Sequence, residues 1–258
     1  MYDNYKSYGP LTLKETYGGK AYSVLDCEKD ATEAVIPKEV DGKPVVDVVD
    51  FAFEDCVKLK KVTFPENEYT DFEEGEGPMY FHEIGYQAFG GCIALEEVVL
   101  PDVGFYTVGQ SAFYGCSSLK RAVFPLGAYV GSYAFFGCSS LTEVTKVKDV
   151  SEGAFSYCSS LAYLPIDEGT SVISEDAFEH CSSLRDIVIP SSVKLIEPLA
   201  FRGCENLASV TFSDPFGWQI DSSYTDKTYD LDLSDPALNA KRLSGMDFDD
   251  GILAWRKK

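Results

Sequence analysis

The sequence predicts an α/β repeat solenoid, in which successive coils stack on one another and one face carries a parallel β-sheet. Three observations predict it. One short pattern of residues occurs seven times, its copies follow at nearly constant steps, and each copy ends in a segment of alternating apolar residues. With 258 residues, the chain is long enough to bury a core without covalent cross-links.

Each copy has valine or isoleucine at its head, an Ala-Phe pair four residues later, a cysteine three residues after the phenylalanine and a leucine three residues after the cysteine. The phenylalanines are Phe53, Phe89, Phe113, Phe135, Phe155, Phe178 and Phe201, and the cysteines are Cys56, Cys92, Cys116, Cys138, Cys158, Cys181 and Cys204. Successive cysteines are 36, 24, 22, 20, 23 and 23 residues apart. A period near 23 residues is typical of leucine-rich solenoids, whose coils bury their apolar side only when a neighbour stacks on it.

The segment that begins at the leucine of each copy predicts a short parallel strand. In "LKRAVFP", we expect Leu119, Ala122 and Phe124 to point inward and the proline to end the strand. The apolar head of each copy predicts a second short extended piece, and short turns or 3-10 pieces are expected on that side. The alanine is small because backbones approach closely at the turn, and the phenylalanine fills the interior.

The copies "VGQSAFYGCSSLKRAVFP" and "ISEDAFEHCSSLRDIVIP" resemble the BspA-like class of bacterial leucine-rich repeats. The resemblance implies a right-handed leucine-rich-repeat coil. "AVIPKEVDGKPVVDV" is similar to the amino-terminal coil of that family, and "FSDPFGWQIDSS" with "LSDPALNAKRLSG" to its carboxy-terminal cap. We therefore expect an N-terminal cap and first atypical coil at 1–47, seven repeats at 48–212 with an acidic insertion at 66–83, and a C-terminal cap at 213–258.

The C-terminal cap is expected to contain one helix. Asp235 is suited to the N-cap and Pro236 to the first helical position, while Lys241 and Arg242 favour the last turn and Gly245 can end the helix.

Two copies depart from the pattern. The fourth lacks the closing proline and reads "VTKVKDV", and the fifth shortens to "LAYLPIDEG", which places Pro165 where a strand residue is expected. Because proline cannot donate a ladder hydrogen bond, we expect regular strand pairing to fail near Pro165.

The eight cysteines could be nucleophiles, metal ligands, disulfide partners or packing residues. Repetition at one register favours a buried ladder, in which each sulfur acts as a small apolar group and a weak donor to the turn backbone. Stacked parallel side chains do not offer the dihedral angle of a disulfide. A disulfide nevertheless remains an alternative, followed by metal ligation or catalysis. Cys27 lies outside the register, and we expect it not to be buried.

No catalytic site, metal site or cofactor is predicted. The Ser-Ser pairs recur as turn residues, and neither His82 nor His180 has a partner implied by spacing. The acidic insertion matches no EF-hand loop and is interpreted as a solvated loop, as is "DFDDG" at 247–251. Calcium binding, or for the insertion a basic partner, remains the alternative.

The formal net charge of -20 argues against nucleic acid as a partner, because phosphates and this chain repel each other. Membrane insertion is not expected, since no apolar run is long enough to span a bilayer. The start of the chain lacks the basic region and apolar core of a signal peptide.

The outward residues of the predicted strands form two columns that are candidates for binding. Lys61, Glu97, Arg121 and Glu143 alternate in charge, which is interpreted first as a stabilising ladder. Beyond them the columns become aromatic, acidic and small, which favours recognition. The candidate binding residues are Tyr163, Asp186, Val188, Arg121, Glu143 and Thr211.

These features favour a non-catalytic solenoid that binds a protein or glycan and is monomeric or weakly dimeric. The family resemblance implies a module on the bacterial cell surface or secreted from it, used for recognition or adhesion to host or bacterial surfaces. A cytoplasmic interaction scaffold is the alternative, because no signal peptide is recognised and the cysteines look reduced. A calcium-dependent binder is the third possibility.

Overall fold

The structure is a computed structural model that describes residues 4–65, 82–100, 106–125, 127–145, 147, 150–222, 228–245 and 253–258. Apart from one 3-10 turn at Tyr17–Gly19 and one helix, the regular elements within these residues are strands. They are β1 (Tyr5–Tyr8), β2 (Leu11–Thr16), β3 (Ala21–Cys27), β4 (Glu33–Val35), β5 (Glu39–Val40), β6 (Lys43–Val48), β7 (Lys61–Thr63), β8 (Glu83–Ile84), β9 (Glu97–Val99), β10 (Thr107–Val108), β11 (Arg121–Val123), β12 (Tyr129–Val130), β13 (Glu143–Val144), β14 (Val172–Ile173), β15 (Asp186–Ile189), β16 (Leu195–Ile196), β17 (Ser209–Phe212), β18 (Trp218–Ser222), β19 (Thr228–Asp230), α1 (Pro236–Leu243) and β20 (Leu253–Lys257).

Two parallel ladders run along the solenoid. The strands that follow the repeat leucines, together with β4 ahead of the first copy, pair in the order β4, β7, β9, β11 and β13. The strands at the repeat heads pair in the order β6, β8, β10 and β12. The predicted repeat solenoid with a parallel sheet is confirmed. The side of the repeat heads was expected to carry only short extended pieces and turns. It also has regular parallel pairing, because its two-residue strands β8, β10 and β12 meet at equivalent residues from coil to coil.

Both ladders are interrupted at the fifth copy. Residues 161–165 form no strand, and isolated bridges from Val147 to Ile166 and from Val150 to Ile173 are the pairings assigned there. Pairing resumes with β15 and β17 on one side and β14 and β16 on the other. The interruption expected near Pro165 is confirmed.

The repeat phenylalanines stack through the centre of the solenoid and are fully buried. Successive ring centroids from Phe53 to Phe201 lie 4.5, 5.1, 5.2, 5.5, 5.9 and 5.2 Å apart, with interplanar angles of 18° or less. Backbone bonds hold the coils in this register, for example from Phe113 N to the Ala134 carbonyl at 2.8 Å. Each coil thus presents the same ring to its neighbours on both sides.

The repeat cysteines form a second buried ladder. From Cys92 onward, each thiol donates to the carbonyl oxygen of the preceding coil's phenylalanine, at 3.1–3.2 Å. All eight cysteines are free. The expectation that Cys27 is not buried is wrong, because only 1% of it is exposed and its carbonyl lies 3.8 Å from Cys56 Sγ. Cys27 ends β3, which extends the stack by one coil.

Antiparallel strands close both ends. At the start, β1, β2 and β3 form an antiparallel sheet whose last strand pairs in parallel with β6. At the other end β20 pairs with both β16 and β18. The predicted cap helix is confirmed as α1: the Asp235 carboxylate accepts bonds from Ala237 N and Leu238 N at 3.0 and 3.1 Å, and Asn239 Nδ2 donates to Val210 O at 3.1 Å. The helix therefore covers β17.

Candidate binding face

The outward residues of β4, β7, β9, β11, β13, β15 and β17, with those of the coil at 161–165, form the surface called here the strand face. Successive side chains of a strand point to opposite sides, so the central residue of a three-residue strand is buried while its neighbours face solvent. β7 follows this rule, since Val62 is buried between exposed Lys61 and Thr63. The pairing register sets these outward residues side by side from coil to coil.

One half of the strand face is occupied by ion pairs. Arg121 Nε donates to Glu143 Oε1 at 2.9 Å, and Arg121 Nη1 pairs with Glu97. Hydrogen bonds to Glu143 and Glu97 raise the pKa of Arg121. A parallel pair joins Lys120 Nζ to Glu96 Oε2 at 2.9 Å. Because these charges satisfy one another, the polar groups of β9, β11 and β13 that form these pairs are less free to bind a partner.

The other half carries outward side chains without such partners. Tyr163 is 59% exposed in the strandless fifth coil, and Val188 is 52% exposed on β15. Asp186 lies opposite Ser209, and Val188 lies opposite Thr211. Neither the Tyr163 hydroxyl nor the Asp186 carboxylate makes a hydrogen bond or ion pair with the part of the chain that the structure describes.

The structure thus divides the candidate binding residues into two groups. Arg121 and Glu143 belong to the ion-paired half, whereas Tyr163 lies within the interruption and the other candidates lie beyond it. A bond from Arg185 N to Ala162 O at 3.4 Å places the coil of Tyr163 next to the strand of Asp186. The second group therefore forms a continuous patch of an aromatic ring, a carboxylate and small β-branched side chains; the group consists of Tyr163, Asp186, Val188 and Thr211.

Six of the seven repeat cysteines are poorly suited to nucleophilic chemistry, and the exception is Cys56, whose pKa is lowered by its hydrogen bond with Cys27. Burial raises the pKa of Cys92 and Cys204 to about 12 and raises that of Cys116, Cys138 and Cys158 well above its ordinary value. The thiolate is the reactive form, so these thiols are almost entirely in the unreactive form at neutral pH. Among the described residues, no group of three or more His, Cys, Asp and Glu side chains is placed to hold a metal ion.

An acidic pocket of about 280 Å³ lies beside β6 and β8, on the sheet formed by the repeat heads and away from the strand face. Its lining includes the carboxylates of Asp47, Asp50 and Glu83. Asp50 accepts a bond from Tyr86 N at 2.7 Å, and burial raises the pKa of Asp47. Most of the acidic insertion, 66–81, lies outside the described residues, as does the "DFDDG" segment at 247–251. The expectations for those two segments stay predictions.

One group of surface residues was missed from the sequence. Tyr114, Phe136, Tyr157 and His180 form a row of contacting rings on the turns that follow the Ala-Phe pairs. The spacing implied no partner for His180, and in the structure its ring centroid lies 4.7 Å from that of Tyr157. Aromatic residues just after successive Ala-Phe pairs were the available signal.

The chain belongs to the family described as the BspA type leucine rich repeat region. Six copies of the family's repeat match, over residues 31–145 and 130–225. No curated protein matches the chain. Within the described residues, no helix combines the length and apolar character needed to cross a membrane.

Solved bacterial leucine-rich repeat proteins share the fold. A leucine rich cell surface protein from Faecalibacterium prausnitzii A2-165 is 24% identical, with a TM-score of 0.67, and the match covers 90% of this chain and 59% of that one. The leucine rich repeat protein of T. pallidum is 26% identical over 80% of this chain and 81% of its own, with a TM-score of 0.51. A leucine-rich repeat protein from Eubacterium ventriosum ATCC 27560 is 22% identical over 88% and 55%, with a TM-score of 0.59. This chain therefore matches only part of the length of the first and third of these proteins.

Proposed function

We propose that this chain is a non-catalytic recognition module that binds a protein or glycan on a bacterial or host surface. The patch of Tyr163, Asp186, Val188 and Thr211 is the proposed contact. The observation that carries the proposal is the unpartnered state of Tyr163 and Asp186 beside the ion pairs that Arg121 makes on the same face. An exposed aromatic ring next to a free carboxylate supplies apolar contact and a hydrogen-bond acceptor together.

The likeness to a bacterial protein described as a cell surface protein supports the surface location. The rigid stack of coils supports the binding role, because a solenoid presents side chains at fixed spacing and loses little conformational freedom when a partner docks.

The test begins by capturing partners from surface extracts of bacterial and host cells and validating one by direct titration. A double variant, Tyr163→Ala with Asp186→Ala, is then compared with the parent. We expect affinity to fall at least tenfold, because a hot-spot aromatic and its neighbour contribute about 2 kcal/mol or more.

The matched control is Tyr129→Ala, which removes a tyrosine of similar exposure from β12, on the sheet formed by the repeat heads. It should leave both affinity and melting temperature unchanged. If the double variant binds the validated partner as tightly as the parent does, the proposed patch is wrong.

A further inference from the structure

Four aromatic rings form a row on the outside of the solenoid, on the turns after the Ala-Phe pairs. The ring of Tyr114 stacks on Phe136 with centroids 4.9 Å apart and an interplanar angle of 2°. Phe136 lies 5.2 Å from Tyr157, and Tyr157 lies 4.7 Å from His180. Tyr114 and Tyr157 are 42% and 44% exposed. These four residues are called here the aromatic row.

The fold does not require the aromatic row. The interior of the same coils is already filled by the buried phenylalanine stack, and the row adds apolar surface that remains in contact with water. The position just before the repeat cysteine, which Tyr157 and His180 occupy, is glycine in four of the other copies, at Gly91, Gly115, Gly137 and Gly203.

Two of the rings occupy a backbone conformation that disfavours them. Tyr157 and His180 precede their repeat cysteines with φ angles of 61° and 57°, in the left-handed region that the four glycines adopt at the same register. A side chain with a Cβ costs backbone energy there that glycine avoids. Asp55 also places a side chain at this register, with a φ angle of 55°, whereas Tyr157 and His180 place contacting rings there in two consecutive coils. Contacting rings at positions where glycine would fold more easily point to a role other than stability.

Glycines of neighbouring coils make room for the rings. A Cβ added to Gly153 would collide with the ring of Tyr133, which lies 6.1 Å from Phe136 at the side of the row. A Cβ added to Gly203 would collide with the ring of His180. His180 at one end of the row therefore packs directly on the backbone of the next coil, and Tyr133 beside the row does the same.

Carboxylates surround the row. The Tyr133 hydroxyl donates to Glu152, whose hydrogen bond raises the pKa of Tyr133 to about 12. Burial and the nearby charges of Glu179 and Glu175 raise the pKa of Asp176. Arg202 Nη1 lies 3.6 Å from Glu179 Oε1 and brings one cation to this group. Four carboxylates thus face one guanidinium beside the exposed rings; the carboxylates are Glu152, Glu175, Asp176 and Glu179.

We propose that the aromatic row is a docking surface for an extended, arginine-bearing segment of a basic partner protein. A guanidinium stacks on aromatic faces and forms paired hydrogen bonds to carboxylates, and the row offers both within one surface. The net charge of -20 attracts a basic partner. The three centroid steps of 4.9, 5.2 and 4.7 Å would be spanned by roughly four or five residues of extended peptide. This surface is distinct from the strand face, and the proposal does not depend on that one.

The test uses a blocked synthetic peptide of alternating arginine and serine, titrated into the full chain by calorimetry. A counterpart with citrulline in place of arginine keeps the shape and removes the charge. We expect the arginine peptide to bind and the citrulline peptide to bind at least tenfold more weakly. The double variant Tyr157→Gly with His180→Gly should weaken arginine-peptide binding about tenfold, because the cation–π contact with Tyr157 and the stacking surface of His180 are both lost. Its melting temperature should be unchanged or higher, since glycine relieves the left-handed positions.

Two further variants keep the outcome decisive. Tyr114→Ala removes the ring at the opposite end of the row without touching a left-handed residue, and it should also weaken binding. Tyr163→Ala with Asp186→Ala alters only the strand face and should leave peptide binding unchanged. The proposal is overturned if the two peptides bind equally, if neither binds, or if the row variants bind the arginine peptide as tightly as the parent does. The neutral sugar maltohexaose is titrated in parallel. The proposal is also overturned if the parent binds this sugar and the row variants lose that binding instead of binding to the arginine peptide.

Discussion

The interior and the exterior of this solenoid follow opposite rules. Inside, every copy contributes the same phenylalanine and the same cysteine, because each coil must fit against a neighbour built to the same plan. Outside, equivalent positions change from coil to coil, from the ion-paired Arg121 to the exposed Tyr163. The comparison teaches that residues which repeat here carry stability, and residues which break the repeat are the candidates for binding.

The largest effect is expected from two adjacent phenylalanines that lie on opposite sides of this divide. Phe135→Ala should lower the free energy of unfolding by about 3–5 kcal/mol, because it opens a cavity between two stacked rings. Phe136→Ala removes a half-buried ring of the aromatic row and should cost about 1 kcal/mol or less. Denaturant titration of both variants measures the difference, and similar losses would contradict the division between interior and exterior.

A smaller effect is expected from the buried thiols as the pH rises. The pKa of Cys92 and of Cys204 is raised from 9.0 to about 12, so the folded state binds their protons more tightly than the unfolded state does. Their contribution to stability is therefore complete below pH 9 and is lost as the pH rises from 9 towards 12, by about 1.4 kcal/mol per thiol at pH 10.

The double variant Cys92→Ala with Cys204→Ala supplies the control, because it retains the tyrosines and lysines that also titrate in this range. Its free energy of unfolding, measured from pH 7 to pH 11, should fall less steeply than that of the parent above pH 9. Parallel curves would show that these thiols do not titrate on unfolding as their burial requires.

The smallest effect is expected on the exterior. Arg121→Ala removes two exposed ion pairs and should lower the melting temperature only slightly at low salt, and less still at high salt. Lys61→Ala is the matched control, since Lys61 makes no ion pair within the described part of the chain although it lies opposite Glu97. Thermal melts at two salt concentrations measure both. A large loss of melting temperature that persists at high salt would place Arg121 with the structural residues.

Much of the fold could be predicted, because contacts between neighbouring coils fix the position of each repeat. The register of Phe113 and Cys116, the interruption at Pro165 and the capping of α1 by Asp235 all depend on residues close in sequence. The pairing of β20 with β16 could not be predicted in this way, because it joins segments that are far apart in the chain and has no counterpart in the repeat.

The candidate site was predictable only in part. Reading the strand columns found Tyr163 and Asp186, because equivalent positions of parallel strands lie side by side. The aromatic row escaped that reading, since Tyr114 and Phe136 occupy one position of the turn whereas Tyr157 and His180 occupy the next. The misjudged burial of Cys27 had a similar origin, because β3 extends the stack although its sequence lacks the Ala-Phe pattern.

The break in strand pairing at the fifth coil also has a mechanical consequence. Directional backbone bonds stiffen a rod of stacked coils, whereas apolar contacts slide with little resistance. Around the break the phenylalanine stack continues, but its spacings widen to 5.5 and 5.9 Å. The backbone bonds of the Ala-Phe turns also continue across the break, from Phe135 N to Ala154 O and from Phe155 N to Ala177 O, both at 2.9 Å. The fifth coil is thus anchored on its turn side, whereas residues 161–165 around Tyr163 lack the strand pairing that holds the other coils on the strand face.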